Sequence, residues 1–201
     1  MAFGGWVTTA TASSVITDVT ASGPGLGSFS EEPAPSTFSY LSTEFSSANP
    51  ITLTFTVAHS EGTNVEHHVY ESIKNDTATA FTAFHLFIDE SVNVPGDGVV
   101  FNYFNASDPY FVPDFTPNFT LDSASASPRE LNFTGELKAG ALAEDGYFNL
   151  NLPDPGVGNT YTFSLTQTPT VAVIPEPETY AMFLAGLGVL GFMARRRKQI
   201  G

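Results

Sequence analysis

Apolar and polar residues alternate along most of the chain. Ile51-Thr52-Leu53-Thr54-Phe55-Thr56-Val57 places four apolar side chains on one face and three threonines on the other. Side chains of a strand point alternately to its two faces, so this pattern predicts a half-buried antiparallel strand. Residues 65–74 alternate less cleanly and predict a second strand, closed by a turn at Asn75-Asp76-Thr77. Phe81–Ile88 is apolar on both faces and predicts a central strand covered on each side. Further strands are predicted at Val99–Phe104, Asn118–Leu121, Glu130–Phe133, Tyr147–Leu152 and Tyr161–Thr168. Turn signals fall at Pro95–Gly98, Asp108-Pro109, Val112-Pro113, Glu144-Asp145-Gly146 and Pro153–Gly158. The Gly-, Pro- and Ser-rich stretch Ser22–Ser36 predicts a loop. Helical periodicity is absent before Glu178. The expected fold is mainly β: an antiparallel β-sandwich over residues 13–168, then a linker over 169–174.

The last segment, residues 175–201, breaks the pattern. Pro175-Glu176-Pro177 is followed by a run from Tyr180 to Ala194 without a charge, then by Arg195, Arg196, Arg197 and Lys198. As a helix the run is about 22 Å long, short against a hydrocarbon core of about 30 Å. Tyr180 at one end and the basic cluster at the other suit the two membrane interfaces. A soluble helix needs a polar face, and this one has none. The expectation is a single short transmembrane helix over 180–194 with its basic end cytoplasmic.

In order and spacing, these three parts closely resemble the PEP-CTERM sorting domain, a tail also known as the C-terminal domain of ice-binding proteins. The resemblance implies an exported protein of a Gram-negative, exopolysaccharide-producing bacterium. It also implies transient lodging in the inner membrane and recognition, with cleavage, by an exosortase. Pro175, Glu176 and Pro177 become the recognition motif. Flanking prolines fix an extended backbone that a protease-like groove can hold. Val69–Thr77 followed by Phe81–Leu86 is also similar to a segment common in proteins with this tail. There a strand ends in an Asn-x-Thr turn and an aromatic strand with a Phe-His pair follows, implying a shared scaffold and no activity.

Export calls for an N-terminal leader. Residues 1–14 lack both a basic start and an apolar run, although Ala10-Thr11-Ala12 fits a small-residue cleavage site. Residues 1–12 are therefore expected to be the remnant of a longer signal peptide, with Met1 lying inside it.

Charge sharpens the picture. The net charge is −14, and residues 1–174 hold Lys74, Arg129 and Lys138 against nineteen acids. A body this acidic repels phosphates, so nucleic acid is excluded as a partner. Cysteine is absent, which excludes disulfides and thiolate chemistry.

Candidate chemistry is thin. Adjacent His67 and His68 face opposite sides of a strand. His67, His85 and Glu71 are a conceivable metal set, with His59 standing apart; hydrogen-bonded sheet residues are the plainer reading. Glu31-Glu32, Asp89-Glu90 and Glu144-Asp145 are acid pairs expected in loops, without the ligand ladder of a calcium loop. Nucleophile elbows and phosphate loops are absent. Asn75, Asn105, Asn118 and Asn132 stand in Asn-x-Ser/Thr triplets and are read as turn and strand residues. The aromatic run Phe101 to Phe111 is expected to be core; exposed, it stacks on sugar rings. Thr52, Thr54 and Thr56 form one strand's outer face, and no fixed-period repeat makes an ice-binding solenoid. The expected function is that of a non-enzymatic surface or matrix protein with no cofactor. Exosortase, the inner membrane and exopolysaccharide are its expected partners. A carbohydrate-binding module, with or without calcium, and a hydrolase with paired carboxylates are the alternatives.

Overall fold

The computed structural model describes residues 12–32, 37–62, 66–90, 94–102, 112–172 and 182–187. Among the described residues eleven strands run in chain order: β1 Ala12–Ser22, β2 Leu26–Glu32, β3 Phe38–Phe45, β4 Ile51–Glu61, β5 Glu66–Asn75 and β6 Phe81–Glu90. They continue as β7 Val100–Phe101, β8 Phe119–Leu121, β9 Glu130–Leu137, β10 Leu142–Asn151 and β11 Thr160–Val171. The first sheet has the order β1-β4-β11-β6-β9-β8, the second β2-β3-β5-β10-β7.

Alternation builds the core. In β4, Ile51, Leu53, Phe55 and Val57 are fully buried while the threonines between them are half-exposed. Leu131 and Phe133 of β9 and Phe163 and Leu165 of β11 are fully buried as well. Phe45 of the second sheet meets Phe81 and Phe84 of the first edge-on, at ring separations of 5.6 and 6.0 Å. Phe55 and Phe163 stack at 4.8 Å. The sheets are thus packed face to face around a phenylalanine-rich interior, whose burial is the main stabilising term.

Several expectations need correction. The second sheet is mixed, because β3 pairs β5 in parallel, Phe38 opposite His68 through Phe45 opposite Asn75. β6 is covered on one face only: Phe84, Leu86 and Ile88 are buried, but Phe87 is 48% exposed. The stretch expected as a loop contains β2. β1 and β3 were not signalled by alternation either, since β3 turns Ser39 and Thr43 inward with Leu41 and Phe45. Glu144-Asp145-Gly146 is a bulge inside β10 and not a turn; the register with β5 shifts between Ala143 and Gly146, and Asp145 has φ 63°. β11 continues to Val171, into the stretch expected as linker.

The Asn75 turn is held by one side chain. Asn75 accepts from the Thr77 amide and hydroxyl, and donates to the carbonyls of Thr79 and Leu137. It is fully buried, so the turn and the adjoining strand end are one hydrogen-bonded piece.

The chain divides into two compact units, residues 1–171 and 172–201. In the second, residues 182–187 are helical, and Met182, Phe183 and Leu184 are exposed. Among the described residues no helix is long and apolar enough to cross a membrane. Residues 1–11 lie outside the described residues, as do most of the expected helix 180–194, Pro175, Glu176, Pro177 and the cluster Arg195–Lys198.

Candidate functional site

Between the sheets lies a polar cluster that alternation on β5 partly foretold. His67 and Glu71, four residues apart, point inward together and are each 2% exposed. Their partners come from β3 and β11. Ser39 Oγ and His67 Nε2 are 3.1 Å apart. Glu71 Oε1 accepts from the Thr43 hydroxyl at 2.7 Å and from Gln167 Nε2 at 2.6 Å. Thr43 belongs to the second sheet and Gln167 to the first, so Glu71 ties the layers together.

Burial sets the protonation of both groups. It pushes the Glu71 carboxyl up from 4.5 to about 7, against the weaker opposing effect of the Gln167 and Thr43 hydrogen bonds. Burial, with the charge of His68 second, lowers His67 from 6.5 to about 4. Glu71 Oε2 and Gln167 Oε1 are buried acceptors without a donor. A proton on Glu71 gives the pair a donor to offer where an ionised carboxylate has none. A carboxyl shifted this far is often a catalytic acid or base, but this one is closed between the layers and held from both.

The expected metal set is not assembled. His85 points outward from β6, bonded through Nδ1 to Asn132 Oδ1 and through Nε2 to the Thr170 hydroxyl, while His67 faces the core of the other sheet. His59 Nδ1 lies 2.8 Å from Asp154 Oδ1. Among the described residues no group of three or more His or acidic side chains is arranged to hold a metal. The acid pairs are not in loops: Glu31-Glu32 sits on β2, Asp89-Glu90 ends β6, and Glu144-Asp145 forms the β10 bulge. Asn118 and Asn132 lie at strands β8 and β9 as turn and strand residues, and Asn105 lies outside the described residues. Phe101 is core, edge-on to Phe148 at 5.8 Å; residues 103–111 lie outside the described residues. The outward threonines of β4 belong to a wider hydroxyl-bearing face, since Thr52, Thr54 and Thr56 stand opposite Thr166, Ser164 and Thr162 of β11.

Alternation gave no hint of the outer face of the second sheet. Tyr40 of β3, Tyr70 of β5 and Tyr147 of β10 are aligned across three strands by register. Tyr40 and Tyr70 stack at 5.3 Å, and Tyr70 and Tyr147 follow at 5.0 Å. Phe38 stacks on His68 at 4.9 Å, and His68 Nδ1 lies 2.9 Å from the Tyr147 hydroxyl. The clue in the sequence was a repeated triplet, Tyr40-Leu41-Ser42 and Tyr70-Glu71-Ser72, which the parallel pairing brings side by side.

A β-rich body thus ends in a separate C-terminal unit. Residues 173–198 of that unit match the PEP-CTERM protein-sorting motif. The motif implies export through a sorting signal, with exosortase as processing partner. No curated protein and no solved structure matches the chain.

Proposed function

We propose that the chain is an exported cell-surface or exopolysaccharide-matrix protein whose body is not an enzyme. In this reading the run 180–194 lodges as a helix in the inner membrane with Arg195–Lys198 on the cytoplasmic side. Exosortase binds Pro175-Glu176-Pro177 and cuts nearby, releasing the body outward. The single observation that carries the reading is the sorting motif at residues 173–198. Two features of the body support its non-catalytic part. Glu71, the carboxyl most shifted by its surroundings, is shut between the sheets. The remaining acid pairs are spread over β2, β6 and β10.

Blotting membrane and released fractions of cells that make wild type or Glu176→Ala tests the sorting. Wild type is expected to lose mass and leave the membrane, and Glu176→Ala to stay longer and membrane-bound. Equal mass and equal location of both proteins refute sorting through this motif.

A further inference from the structure

The two Tyr-x-Ser triplets build a groove. Side chains two apart on a strand share a face, so Tyr40 and Ser42 point outward from β3, and Tyr70 and Ser72 from β5. Parallel pairing sets Tyr40 opposite Tyr70 and Ser42 opposite Ser72. Two large rings therefore stand beside two small hydroxyls, and the step between them is a depression of about 310 Å³. Glu32, paired with Tyr40 from β2, and Asp145, carried by the β10 bulge, contribute carboxylates to its lining. Tyr40 remains 41% exposed.

We propose that this groove binds an uncharged pyranose chain. A sugar ring has an apolar face of C–H bonds and a rim of hydroxyls. Tyr40, exposed and backed by Tyr70 at 5.3 Å, offers a ring for the first, and Ser42, Ser72, Glu32 and Asp145 offer hydrogen-bond partners for the second. The volume stands at the lower end for small-ligand sites, enough for one or two sugar rings at a time. Charge selects among sugars. The groove is lined with acids on a body that carries three basic residues against nineteen acids over residues 1–174, so uronate- or sulfate-bearing chains are repelled. A purely apolar partner is disfavoured because it strips water from both carboxylates and both serines without replacing their hydrogen bonds. The site is separate from the aromatic run after Phe101, and it goes beyond the sorting reading.

The test is native affinity electrophoresis of the full chain in mild detergent. Gels are cast with a neutral β-glucan, a neutral α-glucan, a galactomannan or alginate. Retardation is expected in at least one neutral gel and not in alginate. Tyr70→Ala and Tyr40→Ala are expected to weaken it about three- to tenfold each, the range for loss of one aromatic contact. Tyr70→Phe, which keeps the ring, is expected to retain most of it. Asp145→Gly removes a carboxylate while relieving a positive φ, so it is expected to weaken binding with no loss of thermal stability. It decides the matter should a tyrosine variant fail to fold. Phe87→Ala, on the outer face of the other sheet, is the control and is expected to bind as wild type. The proposal is overturned by no retardation in any neutral gel, by retardation in alginate alone, or by Tyr40→Ala, Tyr70→Ala and Asp145→Gly all binding as wild type. Capture by an oligolysine peptide that Tyr70→Ala abolishes, without sugar binding, also overturns it in favour of a basic peptide ligand. These results leave the sorting reading untouched, since binding is read on purified protein.

Discussion

Replacing Glu71 with Gln should make the protein more stable at alkaline pH and leave it unchanged at acid pH. Glu71 is 2% exposed, and its carboxyl is shifted from 4.5 to about 7. Between those values the folded state holds a proton that the unfolded state has released. Its contribution to stability is therefore full below pH 4.5 and is lost as pH rises through 7. A shift of this size corresponds to about 3 kcal/mol. His67 acts in the opposite sense. Its imidazole falls from 6.5 to about 4, so its contribution is full above pH 6.5 and is lost, by about the same 3 kcal/mol, as pH falls through 4. From pH 4.5 to 6.5 the two slopes cancel. Gln at position 71 still accepts from Thr43 and Gln167 and offers a donor of its own, so it imitates the protonated acid. Urea unfolding followed by circular dichroism at pH 5 and pH 8 measures the effect. The variant is expected to lie within about 1 kcal/mol of wild type at pH 5 and to exceed it by about 3 kcal/mol at pH 8. Groups common to both proteins drop out of the difference. An equal difference at the two pH values refutes the buried, proton-holding Glu71.

The reciprocal variant, His67→Gln, is expected to expose the slope of Glu71, with stability falling by about 3 kcal/mol between pH 4.5 and 7 in the same titration. Asn75→Ala removes four hydrogen bonds made by one fully buried side chain and is expected to cost about 2–4 kcal/mol, read as a melting temperature lower by roughly 4–16 °C. In Gly146→Ala the new methyl carbon would lie 2.3 Å from the Phe115 ring and 2.5 Å from the Glu71 carbonyl oxygen. The expected loss is about 1–3 kcal/mol, measured by the same unfolding curves. Phe163→Ala empties one side of the stack with Phe55 and is expected to cost about 3–5 kcal/mol; a change under 1 kcal/mol contradicts the full burial of Phe163.

What was legible in the sequence was whatever one strand decides alone. β4 showed itself because its inward positions are all apolar, and His67 and Glu71 showed a shared face because they are four apart on β5. β3 was hidden because its inward Ser39 and Thr43 are partners of those same two residues, so the cluster that makes the interior unusual also erased the signal of the strand. β2 was hidden because its residues are largely exposed and carry no apolar stripe. The Asp145 bulge read as a turn because Asp and Gly signal both. The tyrosine groove depends on a parallel register between β3 and β5, and strand pairing between distant segments is not written in local pattern. The sorting motif was legible because it acts as a linear string, needing no fold to be recognised.

β11 is the last strand before the sorting tail, and it runs between β4 and β6, bonded on both flanks. Mechanical load on the tail reaches β11 first at Thr168–Val171, which pairs with β6 alone, and from Gln167 inward meets a strand held by β4 as well. An edge strand such as β1 or β8 would unzip under the same pull, one pair at a time along a single border. Drawing out β11 instead splits the first sheet in two and opens the phenylalanine interior at Phe163 and Leu165. For as long as the tail stays joined, a pull on it is therefore resisted by the layer as a whole and not by one border.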